Sequence, residues 1–219
     1  MPEKYLYYGN LGVTEKQFQI EKFVGLALYP KSDREIKHNA LDTLPFENDS
    51  ISKIQSQDVF EHLPYDSISK IFDDIYRVMR TGGVFRLSVP DYRSPLLKRR
   101  SIYDYRGNVL GDLLMGAKVS YDHTEAQKTG INPEHPIKVE FSGDGNAHIW
   151  FPRYESILDL IIHSKIRHCR EIVFYQYYLN DNIYVCDSIP ENEMYVMRCA
   201  PNDKRNDGKP ISIVVDFVK

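Results

Sequence analysis

The stretch DSISKIFDDIYRVMRTGGVFRLSVPD, residues 66–91, decides the fold. Ile68, Ile71, Phe72, Ile75, Val78 and Met79 recur at i, i+3, i+4, i+7, i+10 and i+11, one apolar stripe at the helical period. This spacing predicts a helix from Asp66 to Arg80, with Asp66 or Ser67 as its cap. Arg77 and Arg80 suit its C-terminal dipole, and Gly82 or Gly83 its left-handed stop. The run Val84, Phe85, Leu87 and Val89 then reads as a strand buried on both faces, halted at Pro90 and Asp91. Upstream, ISKIQSQDV at 51–59 reads as another strand, preceded by the turn-like 47-ENDS-50. Strand, helix and buried strand form a βαβ unit, whose strands are parallel and connected right-handedly. Asp91 therefore leaves the sheet at its carboxyl edge, where open α/β sheets bind ligands.

Further out, residues 4–8 (KYLYY) and 23–29 (FVGLALY) read as short strands, with room for a short helix between them, and 35–40 as a weaker strand. Residues 94–103 suit a short helix, and 104–147, studded with glycines, an irregular insertion. A second helix is expected from Tyr154 to Ile166, with Tyr154, Ile157, Leu158, Ile161 and Ile162 on one face. Strands follow at about 171–179, 194–199 and 211–218. This order suits a single α/β domain, 1–219, with a mostly parallel sheet and an antiparallel edge.

Composition narrows the classes. Hydrophobic content of 42% and charge of 27% are ordinary for a globular chain, and a net charge of −3 argues against general nucleic-acid binding. Cys169, Cys186 and Cys199 are odd in number and lack a CxxC pair, so they read as reduced thiols. The start MPEKYLYYGN lacks a signal-like apolar core, and no segment approaches the ~20 apolar residues of a membrane span. A cytoplasmic protein is the expectation.

The segments 44-LPFENDSISKIQSQDVFEHL-63, 76-YRVMRTGG-83 and 84-VFRLSVPD-91 resemble the type 11 branch of class I S-adenosylmethionine-dependent methyltransferases. The later 148-HIWFPRYESILDLI-161 and 205-RNDGKPISIVVDFVK-219 resemble a subgroup linked to polysaccharide or surface-glycan synthesis. The resemblance implies a Rossmann-like three-layer αβα sandwich around a mostly parallel seven-stranded sheet, with S-adenosyl-L-methionine as cofactor. It places that cofactor against Tyr8, Gly9, Asn10 and Gly12, then Leu28 and Tyr29, then Asn39, Ala40 and Leu41, and finally Gln57 and Asp58. The chain departs from the family in 8-YGNLGVTE-15, which lacks the middle glycine of a GxGxG-like turn. It also lacks the acid after the second strand that grips the ribose, so backbone, Tyr29 or Asp33 must substitute.

Methyl transfer to a hydroxyl requires alignment of the nucleophile and a base to take its proton. Asp58 and His62 follow the fourth strand, Asp91 follows the fifth, and His148 can enter the same cleft from the insertion. These four are the candidate catalytic residues. Each has a plainer role open to it: Asp58 a turn contact, His62 a helix-entry hydrogen bond, Asp91 a helix cap. Trp150 is either a sugar-stacking surface or core. Asp91, Asp122 and His123 or His148 offer ligands for a divalent metal, with no spacing that fixes one. Lys98, Arg99, Arg100 and Arg106 suit either a phosphate of a nucleotide-linked or lipid-linked acceptor or a solvated face. The tyrosine-rich 174-FYQYYLNDNIYV-185 fits strand propensity as well as a carbohydrate platform.

The leading expectation is an O-methyltransferase acting on a hydroxyl of a sugar or glycan. Alternatives are a noncatalytic module that keeps the fold and a methyltransferase acting on RNA or protein. A nicotinamide oxidoreductase lacks both the full GxGxxG turn and its following acid.

Overall fold

The computed structural model of the chain describes residues 3–104, 106–120, 138–143 and 145–219. The main sheet contains β1 (Tyr5–Tyr8), β2 (Phe23–Ala27), β3 (Glu35–Lys37), β4 (Ile51–Gln57), β5 (Met79–Pro90), β10 (Glu171–Tyr178), β11 (Tyr184–Cys186) and β12 (Ser212–Val218). Their spatial order is β11-β10-β12-β5-β4-β1-β2-β3. Strands β1 to β5 pair in parallel, while β12 runs antiparallel to both β5 and β10. The mostly parallel sheet with an antiparallel C-terminal edge is thus present, with eight strands rather than seven. The eighth, β11, is the edge arm that folds back on β10 from the tyrosine-rich segment.

Helix α1 (Tyr65–Val78) links β4 to β5 and buries Ile68, Ile71, Phe72, Ile75 and Val78, the stripe read from the sequence. Its ends differ from expectation. Pro64 occupies the N-cap position, and no side chain caps that end. At the other end the helix stops at Val78, because Met79 already has extended backbone and pairs with Ile51. Gly82 and Gly83 therefore lie inside β5. Gly82 has φ +74, and a Cβ on Gly83 would come within 2.8 Å of the Arg80 carbonyl oxygen. These glycines allow an irregular start to β5 rather than a helix stop.

One face of the sheet is covered by α1, by α3 (Tyr154–Ile162) and by the single turn Lys165–His168. Leu6, Ile54, Phe85, Leu87, Ile213 and Phe217 meet them in one continuous core, where Phe85 and Phe217 stack at 5.5 Å. The second face carries a short 3-10 turn, Lys16–Gln19, and the irregular segment 187–211. The strand expected at 194–199 is absent: the Tyr195 carbonyl accepts from the Gln17 and Gln55 side chains, and the Met194 carbonyl from Arg86. Side-chain amides and a guanidinium have replaced the ladder, so apolar Met194, Val196 and Cys199 are buried without strand pairing.

After β5, α2 (Pro95–Lys98) is shorter than the expected 94–103 helix, and its continuation is β6 (Ser101–Tyr103). The insertion is not wholly irregular. β6 pairs with β7 (Val109–Asp112), and β8 (Ala117–Ser120) pairs with β9 (Lys138–Phe141). Asp122 and His123 lie outside the described residues. Among the described residues, no helix is long and apolar enough to cross a membrane.

Candidate active site

The chain leaves β1 in opposite senses to build the two halves of the sheet, so β1 and β4 are neighbours at a topological switch point. The cofactor candidates from the sequence gather along this carboxyl edge. Gly9 has φ +100, donates its N–H to the Leu26 carbonyl, and leaves 3.4 Å between a notional Cβ and Val59. Leu28 and Tyr29, after β2, and Leu41, after β3, are exposed at 51%, 75% and 47%. Asn39 is exposed, Ala40 is half-buried, and Gly12 accepts from the Glu15 amide at 2.9 Å. Tyr8 points to the other side: it is buried, packs edge-on against Phe60 and borders a cavity of about 290 Å³ with Leu41, Lys70 and Asp74. Gln57 donates to Tyr7 and accepts from the Met197 amide, which ties the β4 exit to the irregular segment.

Glu35 organises the loop after β1. It accepts from Asn10 Nδ2 at 2.9 Å, from the Leu11 amide at 2.8 Å and from the Lys31 amide. Burial alone would raise its carboxyl, but these donors outweigh it and hold the group below its ordinary value. Asn10 also donates to the Tyr29 carbonyl at 3.0 Å, so a side chain joins the β1 and β2 loops where the family pattern has a third glycine.

At the β4 exit, Asp58 has φ +51, its amide donates to the Ser88 carbonyl, and one carboxyl oxygen is 3.1 Å from Arg198. Its other oxygen, Oδ1, is buried without a hydrogen-bond partner. Burial raises this carboxyl, against the opposing pull of Arg198. A small cavity of about 40 Å³ adjoins it, lined by Pro90, Leu97, Arg100, Arg198 and Arg205 among others.

The 3-10 turn Phe60–His62 then sets Glu61 and His62 beside His148. The two imidazole rings meet edge-to-face at 4.7 Å, and His148 Nε2 is 3.6 Å from Glu61 Oε1. Glu61 is fully buried, and both its carboxyl oxygens lack hydrogen-bond partners. Burial, and then the neighbouring Asp58, push its carboxyl well above the usual range. Burial lowers His62 and carries His148 down to about 3.

Three of the four candidate catalytic residues, Asp58, His62 and His148, thus lie in one chain of neighbours, in which the Asp58 charge acts on Glu61 and His62, and His62 on His148. Asp91 is engaged elsewhere. It is fully buried, and its two oxygens accept from the Arg93 and Tyr178 amides at 2.9 and 2.7 Å. Trp150 is core: it packs on Tyr65 and donates to the Phe60 carbonyl at 2.8 Å. The basic run is divided, with Lys98 paired to Asp181 and Arg100 to Asp112. Glu61 was not singled out from the sequence, although it adjoins the candidate His62 in 58-DVFEHL-63. Tyr92, Asp112 and Arg198 reach the site through tertiary contacts that no local spacing announces.

Residues 19–87 match the model of a methyltransferase domain. A SAM-dependent methyltransferase from Methanosarcina mazei is 12% identical, with 100% of this chain and 93% of that chain covered and a TM-score of 0.50. A SAM-dependent methyltransferase from Listeria monocytogenes is 11% identical, with 99% and 90% covered and a TM-score of 0.47. A Haemonchus contortus phosphoethanolamine N-methyltransferase bound to S-adenosyl-L-methionine is 13% identical, with 80% and 35% covered and a TM-score of 0.43. No curated protein matches the chain.

Proposed function

We propose that this protein is an S-adenosylmethionine-dependent O-methyltransferase acting on a hydroxyl of a sugar or glycan. One observation carries the reading: the exposed apolar residues Leu28, Tyr29 and Leu41 follow β2 and β3, the positive-φ Gly9 follows β1, and the Asp58 carboxylate lies at the exit of β4, adjacent to β1. The apolar residues suit an adenosine, and the carboxylate suits proton removal from an acceptor. The methyltransferase-domain match over 19–87 supports the same donor.

The cofactor supplies a methyl group already activated on a sulfonium, so the residues of this chain need only hold, orient and deprotonate. The exposed Tyr29 ring would stack on the adenine, Leu28 and Leu41 offer apolar contacts nearby, and Gly9 lets the backbone approach closely. Asp58 Oδ1 would be the base, placed to take the proton of an acceptor hydroxyl as that oxygen received the methyl group that the bound donor would supply. Its raised affinity for a proton matches this task better than an ordinary exposed aspartate would. The cavity beside Asp58 accommodates about one hydroxyl, so a larger acceptor requires the half-exposed Arg198 to swing outward.

Acceptor class rests on a second cavity. About 450 Å³ is lined by Tyr92, Arg93, Lys98, Tyr103, Gly107, Arg153 and Asp181. Arg93, Lys98 and Arg153 with two tyrosines suit a phosphate-linked glycan if the phosphate displaces Asp181 and Glu155 from Lys98 and Arg93, and α2 separates this cavity from Asp58, with Leu97 lining one and Lys98 the other.

Calorimetric titration of the folded chain with S-adenosylmethionine and S-adenosylhomocysteine tests the donor, with saturable 1:1 heat expected from both. Mass spectrometry of nucleotide-linked sugars incubated with enzyme and donor tests the acceptor, where a gain of one methyl is expected. Absence of heat with either ligand would leave the noncatalytic module as the better reading. Methylation confined to RNA or protein would overturn the glycan assignment.

A further inference from the structure

We propose that Glu61, His62 and His148 form a binding site for one divalent first-row transition ion, of which zinc is the representative. The binding claim is independent of methyl transfer, and only its use in catalysis rests on the function proposed above.

Hydrogen bonding fixes the tautomers. The Tyr92 hydroxyl has a single proton, and it donates to Asp112 Oδ2 at 2.7 Å, where Arg100 is paired at the same distance. His148 Nδ1 lies 2.6 Å from the same hydroxyl oxygen and must therefore be the donor in that contact. Its Nε2 is left as a bare lone pair, buried, without a partner and 3.6 Å from Glu61 Oε1. His62 follows the same logic. Its Nδ1 is 3.0 Å from the Ala147 carbonyl oxygen, which can only accept, so its Nε2 also turns a lone pair toward Glu61, at 4.0 Å.

Two imidazole lone pairs and the Glu61 carboxyl converge, and neither Glu61 oxygen has a hydrogen-bond partner. Without a metal, burial favours the neutral acid, and an incoming cation displaces its proton. The ionised carboxylate only accepts, so a cation at the centre satisfies all three groups at once.

The dimensions agree. The ligand atoms lie within 4.8 Å of one another, and metal bonds of ~2.1 Å in a tetrahedral site bring ligand atoms to roughly 3.4 Å. The 3.6 and 4.0 Å separations from Glu61 need about 0.2 and 0.6 Å of contraction, and the two imidazole nitrogens, within 4.8 Å, need up to about 1.4 Å, which side-chain rotation supplies. Two nitrogens and one oxygen favour zinc-like ions over magnesium or calcium, which prefer all-oxygen shells. A carboxylate–tyrosine–histidine relay behind one ligand is the outer support such sites use to orient an imidazole. Three protein ligands leave a fourth position for an acceptor hydroxyl, whose proton a bound ion would make easier to remove.

The test is stoichiometric binding by the full-length, untagged chain after removal of metal by chelation. Zinc titrated calorimetrically is expected to bind at one equivalent, and cobalt(II) to develop the visible absorption of a tetrahedral N/O site. His148→Ala, His62→Ala and Glu61→Gln should each weaken zinc binding by more than about a hundredfold, and Tyr92→Phe, which touches no metal, by about ten- to hundredfold. Thermal melting of the metal-free proteins guards against misfolding. Glu61→Gln should melt at or above the wild-type temperature without zinc and gain nothing on its addition, whereas the wild type should gain. Zinc binding that survives unchanged in all three ligand variants, or magnesium binding more tightly than zinc, would overturn the proposal. So would a wild type that takes up no zinc.

Discussion

Arg86 and Asp216 face each other across the β5–β12 pair, joined by two parallel hydrogen bonds, Nε to Oδ1 at 2.7 Å and Nη2 to Oδ2 at 2.6 Å. Arg86 is wholly buried, and its remaining Nη1 donates to the carbonyls of Pro190 and Met194. One guanidinium thus ties the antiparallel edge to the irregular segment that roofs the second face. Asp216→Ala leaves that charge buried and half-paired, and should lower unfolding stability by about 3–5 kcal/mol. The double variant Arg86→Met, Asp216→Leu should recover much of the loss, because it removes both charges at similar volume. Urea unfolding of the two variants measures both.

Asp91 gives a pH-dependent term. Burial lifts its carboxyl from the ordinary range to about 6, against the pull of the Arg93 and Tyr178 amides. The folded value lies above the unfolded ~3.9, so the folded state binds the proton more tightly. Its contribution is full below about pH 4 and is lost as pH rises to about 6, a change of about 3 kcal/mol. Asp91→Asn cannot titrate. The stability of this variant relative to wild type should therefore rise by a few kcal/mol between pH 4 and pH 7, as read from denaturant midpoints at each pH. A difference that stays flat would show that Asp91 does not take up a proton in this window.

Tyr29 separates binding from folding. At 75% exposure it contributes little to the core, so Tyr29→Ala should change unfolding stability by less than about 0.5 kcal/mol. If its ring carries the adenine, donor affinity should fall about tenfold, the magnitude of one lost aromatic stack. Calorimetry with S-adenosylhomocysteine reads the affinity without requiring an acceptor.

The βαβ unit was legible because α1 and β5 advertise themselves by period and by apolar run, which local sequence encodes directly. Only their junction was misplaced: Met79 is apolar and on the helical stripe, yet pairing with Ile51 draws it into β5. The 194–199 segment misled in the opposite way, since burial alternates over its first four residues as in a strand while the Met194 and Tyr195 carbonyls are taken by Gln17, Gln55 and Arg86 from far along the chain. Such long-range side-chain to backbone bonds leave no periodic trace.

The site divides along the same line. Asp58 and His62 lie close together in 58-DVFEHL-63, and their strand-exit position could be read from the pattern around them, whereas Glu61 between them drew no notice because nothing local shows that it is buried. Arg198 pairs with Asp58 across 140 residues, and Tyr92 orients His148 through a hydroxyl, so both depended on the tertiary fold. Asp91 looked equivalent to Asp58 because each ends a central strand. What distinguishes them is the amide of Tyr178, delivered by β10, which occupies an Asp91 oxygen while Asp58 Oδ1 stays unpartnered.

That unpartnered oxygen makes Asp58 the sharpest test of mechanism. Asp58→Asn keeps the shape and abolishes the base, so kcat for a hydroxyl acceptor should fall by about 10²–10⁴ while donor affinity holds within about threefold. The pH profile supplies a second check. Below the raised Asp58 value the base is protonated, so kcat/KM should climb with pH and then level off. Arg198 opposes the effect of burial on this carboxyl, and Arg198→Ala therefore moves the rising limb to higher pH. A structural role for Asp58 would lower activity without moving that limb. Steady-state rates across pH for wild type, Asp58→Asn and Arg198→Ala distinguish the cases, and an unshifted limb in Arg198→Ala would assign the proton to another group.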